Sequence, residues 1–216
     1  MRHAVLGLAL LLSACAPRAA DPPAPTGFLG DYARLAPGAR GELRWVDRGA
    51  DLAGYAAIWI ESVALWGAEL AAVPAPPRQE LTDRLYRALH DELIKDWILV
   101  DKPGPQVLRL RAALSAPRAT DFALDTTTRT LPGLRRLAPL GHLTPELALL
   151  LSEAAAEVEL ADSLSGGTLV ALLDEPLARH GPGRAVGRWG EVQAAFDLWA
   201  EALRFDLQDL RTGRRL

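Results

Sequence analysis

Residues 155–173 read Ala155-Ala156-Glu157-Val158-Glu159-Leu160-Ala161-Asp162-Ser163-Leu164-Ser165-Gly166-Gly167-Thr168-Leu169-Val170-Ala171-Leu172-Leu173, and this stretch decides the fold. From Ala155 to Asp162 the residue types alternate. Val158 and Leu160 share one face while Glu157 and Glu159 share the other, the period-2 signature of a strand with one face on a core. Ser165-Gly166-Gly167 is turn chemistry, and Thr168 to Leu173 returns as the second strand of a hairpin. Downstream, Trp189, Val192, Phe196, Trp199, Leu203, Leu207 and Leu210 recur at spacings of three and four, which predicts a long amphipathic helix over 188–211. A one-sided sheet followed by a one-sided helix stabilises both by packing stripe on face.

The same two periods extend upstream. Val107 to Leu114 alternates Leu108 and Leu110 against Arg109 and Arg111, a further one-sided strand. Beside the 155–162 strand, Arg109 and Arg111 would face Glu157 and Glu159 as exposed pairs worth a few tenths of a kcal/mol each. The run Ile58-Trp59-Ile60 within 55–66 predicts a central strand buried on both faces. Pro74, Pro76 and Pro77 break the chain before a helix over 78–97, where Leu81, Leu85, Leu89, Leu93 and Trp97 recur every four residues. Ile98-Leu99-Val100 reads as a short strand and Lys102-Pro103-Gly104-Pro105 as a turn. Residues 116–143 are irregular, and Thr144-Pro145-Glu146 opens a short helix. The expected class is α/β (α+β): a single mixed, largely antiparallel sheet with helices packed on it, ending in a β-hairpin and a long amphipathic helix. No internal repeat or second-domain boundary interrupts 27–216, which reads as one globular α/β domain.

The N-terminus carries an address. Arg2 is a positive start, Ala4 to Leu12 is a short apolar run, and Leu12-Ser13-Ala14-Cys15 follows. Nine apolar residues are too few for a bilayer span, which takes roughly 20, and they suit a signal peptide. The last four residues resemble the bacterial lipobox. Residues 1–14 are therefore expected to be a lipoprotein signal peptide. The Cys15 thiol would take a diacylglyceryl group and become the acylated N-terminus, a membrane anchor of palmitate-type chains. Residues 15–26, with Pro17, Pro22, Pro23 and Pro25, form a semi-extended tether. Phe28, Leu29 and Tyr32 are expected to pin the domain's start onto its core. Ala16, where a retention signal would have aspartate, points to the outer membrane, facing the periplasm.

Candidate chemistry is sparse. Of 216 residues 50% are hydrophobic and 24% charged, and the net charge of −3 gives no basic footprint for nucleic acid. Cys15 is the one cysteine, which excludes an intramolecular disulfide and a CxxC redox pair. His90, Asp91 and Glu92 fan out around a helix and read as a solvated face. His142 and His180 fall in loops without ligand-spaced partners, and no HExxH or GxSxG motif occurs. Gly181, Gly183 and Gly187 match neither phosphate-binding fingerprint, and Ser163 and Ser165 belong to the hairpin turn. No catalytic, metal or cofactor residue is nominated; Cys15 is the single site residue. Trp97, Trp189 and Trp199 lie on apolar stripes and are expected in the core, while Trp45 and Trp66 are candidates for a groove or interface.

Several segments in order resemble a family of bacterial lipoproteins catalogued as domain of unknown function 3313. They are Gly27-Phe28-Leu29-Gly30-Asp31-Tyr32, Val63-Ala64-Leu65-Trp66, and Glu157-Val158-Glu159-Leu160-Ala161-Asp162-Ser163 with Ser165-Gly166. Trp189-Gly190-Glu191-Val192 and Phe196-Asp197-Leu198-Trp199-Ala200 complete the set. The resemblance implies an envelope lipoprotein and no activity, cofactor or catalytic residue. The hairpin-then-helix ending is also similar to small α/β domains of envelope assembly lipoproteins, an analogy of fold alone. The expected function is a non-enzymatic binding, adaptor or assembly module. Its expected partners are the membrane, through the anchor, and an envelope protein or a second copy of itself. The alternative is a lipid-anchored hydrolase acting on cell-wall or membrane material. A third reading is a lipid or small-molecule pocket between the sheet and residues 116–143.

Overall fold

Alternation along the strands places Leu108, Leu110, Val158, Leu160, Val170 and Leu172 in one core on one side of a sheet, and all are buried. The computed structural model describes residues 25–38, 40–116, 142–174 and 187–213. The signal, Cys15, nearly all of the tether, most of 116–143, His180 and the 181–183 turn lie outside these. Strands β1 (Ala36–Pro37), β2 (Leu43–Val46), β3 (Ala57–Trp66), β4 (Ile98–Val100), β5 (Val107–Ser115), β6 (Ala155–Asp162) and β7 (Thr168–Leu173) form one sheet in the order β1-β2-β7-β6-β5-β3-β4. The β6–β7 hairpin occupies its middle. Strand β3 pairs in parallel with β4 and β5; the other neighbours are antiparallel. The mixed, largely antiparallel sheet is as the periods require.

Helices α1 (Ala68–Ala71), α2 (Ala75–Leu93), α3 (Pro145–Ser152) and α4 (Trp189–Arg211) join the first core. Helix α2 starts earlier than the residue pattern predicts. Pro76 and Pro77 sit in its first turn, where an N–H would have no helical acceptor anyway. It ends at Leu93, and Trp97 beyond it remains buried. Thr144 caps α3 by accepting the Leu147 N–H at 3.3 Å. Glu191 reaches back from the first turn of α4 to accept the Gly187 and Arg188 N–H groups at 2.6 and 3.0 Å. Those bonds hold the Glu191 carboxyl below the usual range, the Gly187 N–H contributing most. The stripe Leu81, Leu85, Leu89, Leu93 meets Val192, Phe196, Trp199, Leu203 and Leu207 of α4 in the common core. Each large side chain buried there contributes about 1.5–3 kcal/mol. Arg204 fastens α4 to the end of α2 through Glu92 at 3.0 Å and Asp96 at 2.9 Å.

Two expectations change. Strand β3 is not central: only the short β4 lies outside it, and burial is confined to its first half, around Ile58 and Ile60. Its register slips between Ile60 and Ser62, leaving Glu61 as an extra residue. The opposite sheet face is also not open. A second core of Phe28, Leu29, Ala113, Ala155, Ala171 and Leu173 closes there, with Tyr32, Leu35, Leu43 and Trp45 packed against it.

Candidate functional site

Three of the segments that carry the family resemblance, 27–32, 63–66 and 157–163, lie far apart in the chain and contribute residues to this second face, whereas the two on α4 belong to the first core. Asp31 caps a single 3-10 turn, Tyr32–Arg34, by accepting the Ala33 N–H at 3.0 Å. The turn folds the Tyr32 ring back over the residues before it. The phenolic oxygen accepts N–H groups from Gly27 (3.2 Å), Phe28 (3.1 Å) and Leu29 (3.1 Å). Gly27 has φ +90°, a conformation that disfavours any side chain. The phenol donates to Glu157 Oε2 at 2.5 Å, and the Thr26 hydroxyl donates to Oε1 at 2.5 Å. Burial first, and then the bond to Glu157, push the phenol above its ordinary pKa, so it stays protonated and a donor. Thr26 to Leu35 thus forms a strap across the sheet.

Trp66, at the end of β3, donates its indole N–H to the Thr26 carbonyl at 3.2 Å, and the Phe28 ring packs edge-on against it at 5.5 Å. The Arg111 guanidinium lies 4.9 Å from the Phe28 ring. Arg111 reaches Glu159 at 3.3 Å and Glu61 at 3.8 Å; Arg109 reaches the same carboxylates at 3.6 and 3.9 Å. The expected exposed Arg–Glu pairs are therefore corrected. Arg111 stands opposite Glu159, but Glu157 stands opposite Ala113, and both glutamates are buried. The cause is the strap, which covers a face that alternation alone reads as solvent.

The other nominated residues fall as follows. Trp97 and Trp199 are in the core, and Trp189 is half-buried at the start of α4. Trp45 is half-buried under the strap beside Arg34, 5.3 Å from its ring. His90 bonds Asp91 at 3.0 Å and stacks on Tyr86, a solvated helix face. Ser163 ties the hairpin turn to Gly104, donating to its carbonyl at 2.9 Å. Among the described residues no three His, Cys, Asp or Glu side chains are placed to hold a metal ion. No helix in them is long and apolar enough to cross a membrane.

A second polar cluster joins the β1–β2 turn to α4. Arg40 bonds Asp206 at 2.5 Å, with Glu42 and Arg44 alongside; Asp206 and Glu42 are buried. Burial outweighs Arg40 and raises the Asp206 pKa above its ordinary 3.8. A carboxyl with a raised folded pKa contributes stability below its unfolded pKa and loses it as pH rises through the folded value. As pH rises above the ordinary carboxyl range the native protein is expected to lose stability that Asp206→Asn does not lose, so the Tm difference should move in the variant's favour with rising pH. A Tm difference that stays constant with pH would contradict this.

A concavity of about 300 Å³ opens between the α1–α2 corner, the chain leading into α3 and the start of α4. Val73, Pro77, Leu143, Leu147, Leu150 and Trp189 form its walls, with Glu69, His142, Thr144 and Glu146 also lining it. It lies among helix starts, and two of its lining residues, His142 and Leu143, end the 116–143 segment of the third reading, most of which lies outside the described residues.

A mixed sheet, helices on one face and an N-terminal strap on the other define the class: a single-sheet α+β protein. The chain belongs to the family described as "Protein of unknown function (DUF3313)", whose model matches residues 24–203. No curated protein matches it. Among solved structures, it is similar to a PelC dodecamer, a point variant, from Paraburkholderia phytofirmans at 10% identity and TM-score 0.33, covering 81% of this chain and 98% of that one. A DUF4136 family protein from Bacteroides thetaiotaomicron gives 8% identity and TM-score 0.34, with coverages of 82% and 97%.

Proposed function

We propose that this protein is an envelope lipoprotein, anchored through Cys15 to the outer membrane and facing the periplasm, that serves as a binding or adaptor module. The observation that supports this reading is the strap. The segment following the tether is built into the fold by a buried glutamate rather than left as a loose leader. An anchor at Cys15 would then enter the domain at one defined place, Thr26. Ten residues lie between the two, a reach of at most about 40 Å. Such a chain holds the domain near the membrane and leaves its outer helix surface free for partners.

Cys15→Ala is the direct test. Metabolic labelling with a fatty acid is expected to vanish in that variant, and the protein to move from the membrane to the soluble fraction. Labelling that persists would refute the anchor. Crosslinking in intact cells is expected to capture an envelope protein or a second copy. Failure to capture either, together with turnover of an envelope substrate by the pure protein, would favour the hydrolase alternative.

A further inference from the structure

We infer that the concavity between α1, α2, α3 and α4 is a binding site for a small organic cation, an ammonium group carrying an apolar chain. Size and lining come first. About 300 Å³ is at the lower end of small-molecule sites, and Val73, Leu143, Leu147 and Trp189 give it apolar walls. Charge decides the ligand class. Glu69 and Glu146 are the carboxylates of the lining, and among the described residues no Lys or Arg joins them there.

Three helices start around this space, which by itself would favour an anion. Several of the donors there are already used or missing. Thr144 takes an N–H of α3, and Glu146 sits in its first turn. Glu191 takes the N–H groups of Gly187 and Arg188 at the start of α4. Helix α2 begins Pro74-Ala75-Pro76-Pro77, where the prolines have no N–H to offer. The Arg84 guanidinium lies 5.3 Å from the Trp189 ring, but Glu80 answers its charge at 2.6 Å. An anion would meet two carboxylates, whereas an ammonium group would meet those carboxylates with its chain on the apolar walls; His142 is the other titratable side chain of the lining. This site is separate from the strap and does not depend on the anchor.

Calorimetric titration of the full chain, carrying Cys15→Ala to keep it unlipidated, compares hexylammonium, hexanol and hexanoate. Saturable binding is expected for hexylammonium, about tenfold tighter than for hexanol, with hexanoate weakest. The Glu69→Gln/Glu146→Gln double variant should bring hexylammonium down to the level of hexanol. Leu147→Trp should fill the space and remove binding. Absence of saturable hexylammonium binding, or hexanoate binding as tight, would overturn the inference. So would undiminished binding in Leu147→Trp with an unchanged circular dichroism spectrum. Should Leu147→Trp not fold, the order of the three ligands on the unsubstituted pocket decides.

Discussion

Glu157→Ala is expected to lower the unfolding free energy by about 3 kcal/mol and to strip protection from residues 26–35. The native carboxylate is fully buried and accepts two hydroxyl bonds at 2.5 Å. Hydrogen bonds to a charged group contribute about 1.5–3 kcal/mol each. Their loss also leaves the Tyr32 hydroxyl, which already accepts three N–H groups, with the Thr26 hydroxyl at 2.9 Å in place of a carboxylate to take its proton. The loss has a ceiling. Once the strap lifts, Phe28 and Leu29 are exposed and no further penalty accrues to the sheet. Guanidinium unfolding gives the free energy, and hydrogen exchange locates it. The strap amides should exchange faster while β5 and β6 keep their protection; strap amides as slow as in the native protein would contradict the latch. Glu157→Gln should cost less, because one oxygen remains to accept while the amide faces the other hydroxyl.

Phe196→Ala should be the most destabilising substitution on α4, at about 3–5 kcal/mol. Phe196 has no exposed surface and stacks on Trp199 with ring centroids 5.6 Å apart. Removing the ring leaves a cavity in the first core beside Trp199, and a helix held by its stripe cannot collapse into it without moving that ring. Leu198, two positions along, is 46% exposed. Leu198→Ala is expected to stay within about 0.5 kcal/mol. Equal losses at the two positions, measured by denaturant midpoint at constant slope, would contradict this packing.

What was legible beforehand follows from the range of each interaction. The β6–β7 hairpin, α2, α3 and α4 announce themselves because their signals lie within one or two turns of chain: alternation, a Ser-Gly-Gly turn, a Thr cap, a four-residue leucine repeat. Strands β1 and β2 have two and four residues, too few to display a period. Glu61 in its bulge looks like any other charged residue of a strand. The expectation that Phe28, Leu29 and Tyr32 pin the start of the domain held, since all three join the second core.

Their polar partner was not legible. Alternation makes Glu157 a solvent-facing residue, and nothing near it marks otherwise. Its two hydroxyl donors lie 131 and 125 residues upstream. The pocket is similarly a product of assembly, since its walls come from helix starts that only the packed core brings together. Local periods and motifs thus determined the element types, the fold class, the family and the expectation of a lipid at Cys15. Tertiary structure alone decided that the sheet's second face is closed, that Glu157 is the buried latch, and where the apolar pocket lies. Periodicity records which face of an element is apolar, whereas contacts between distant segments depend on how those faces stack.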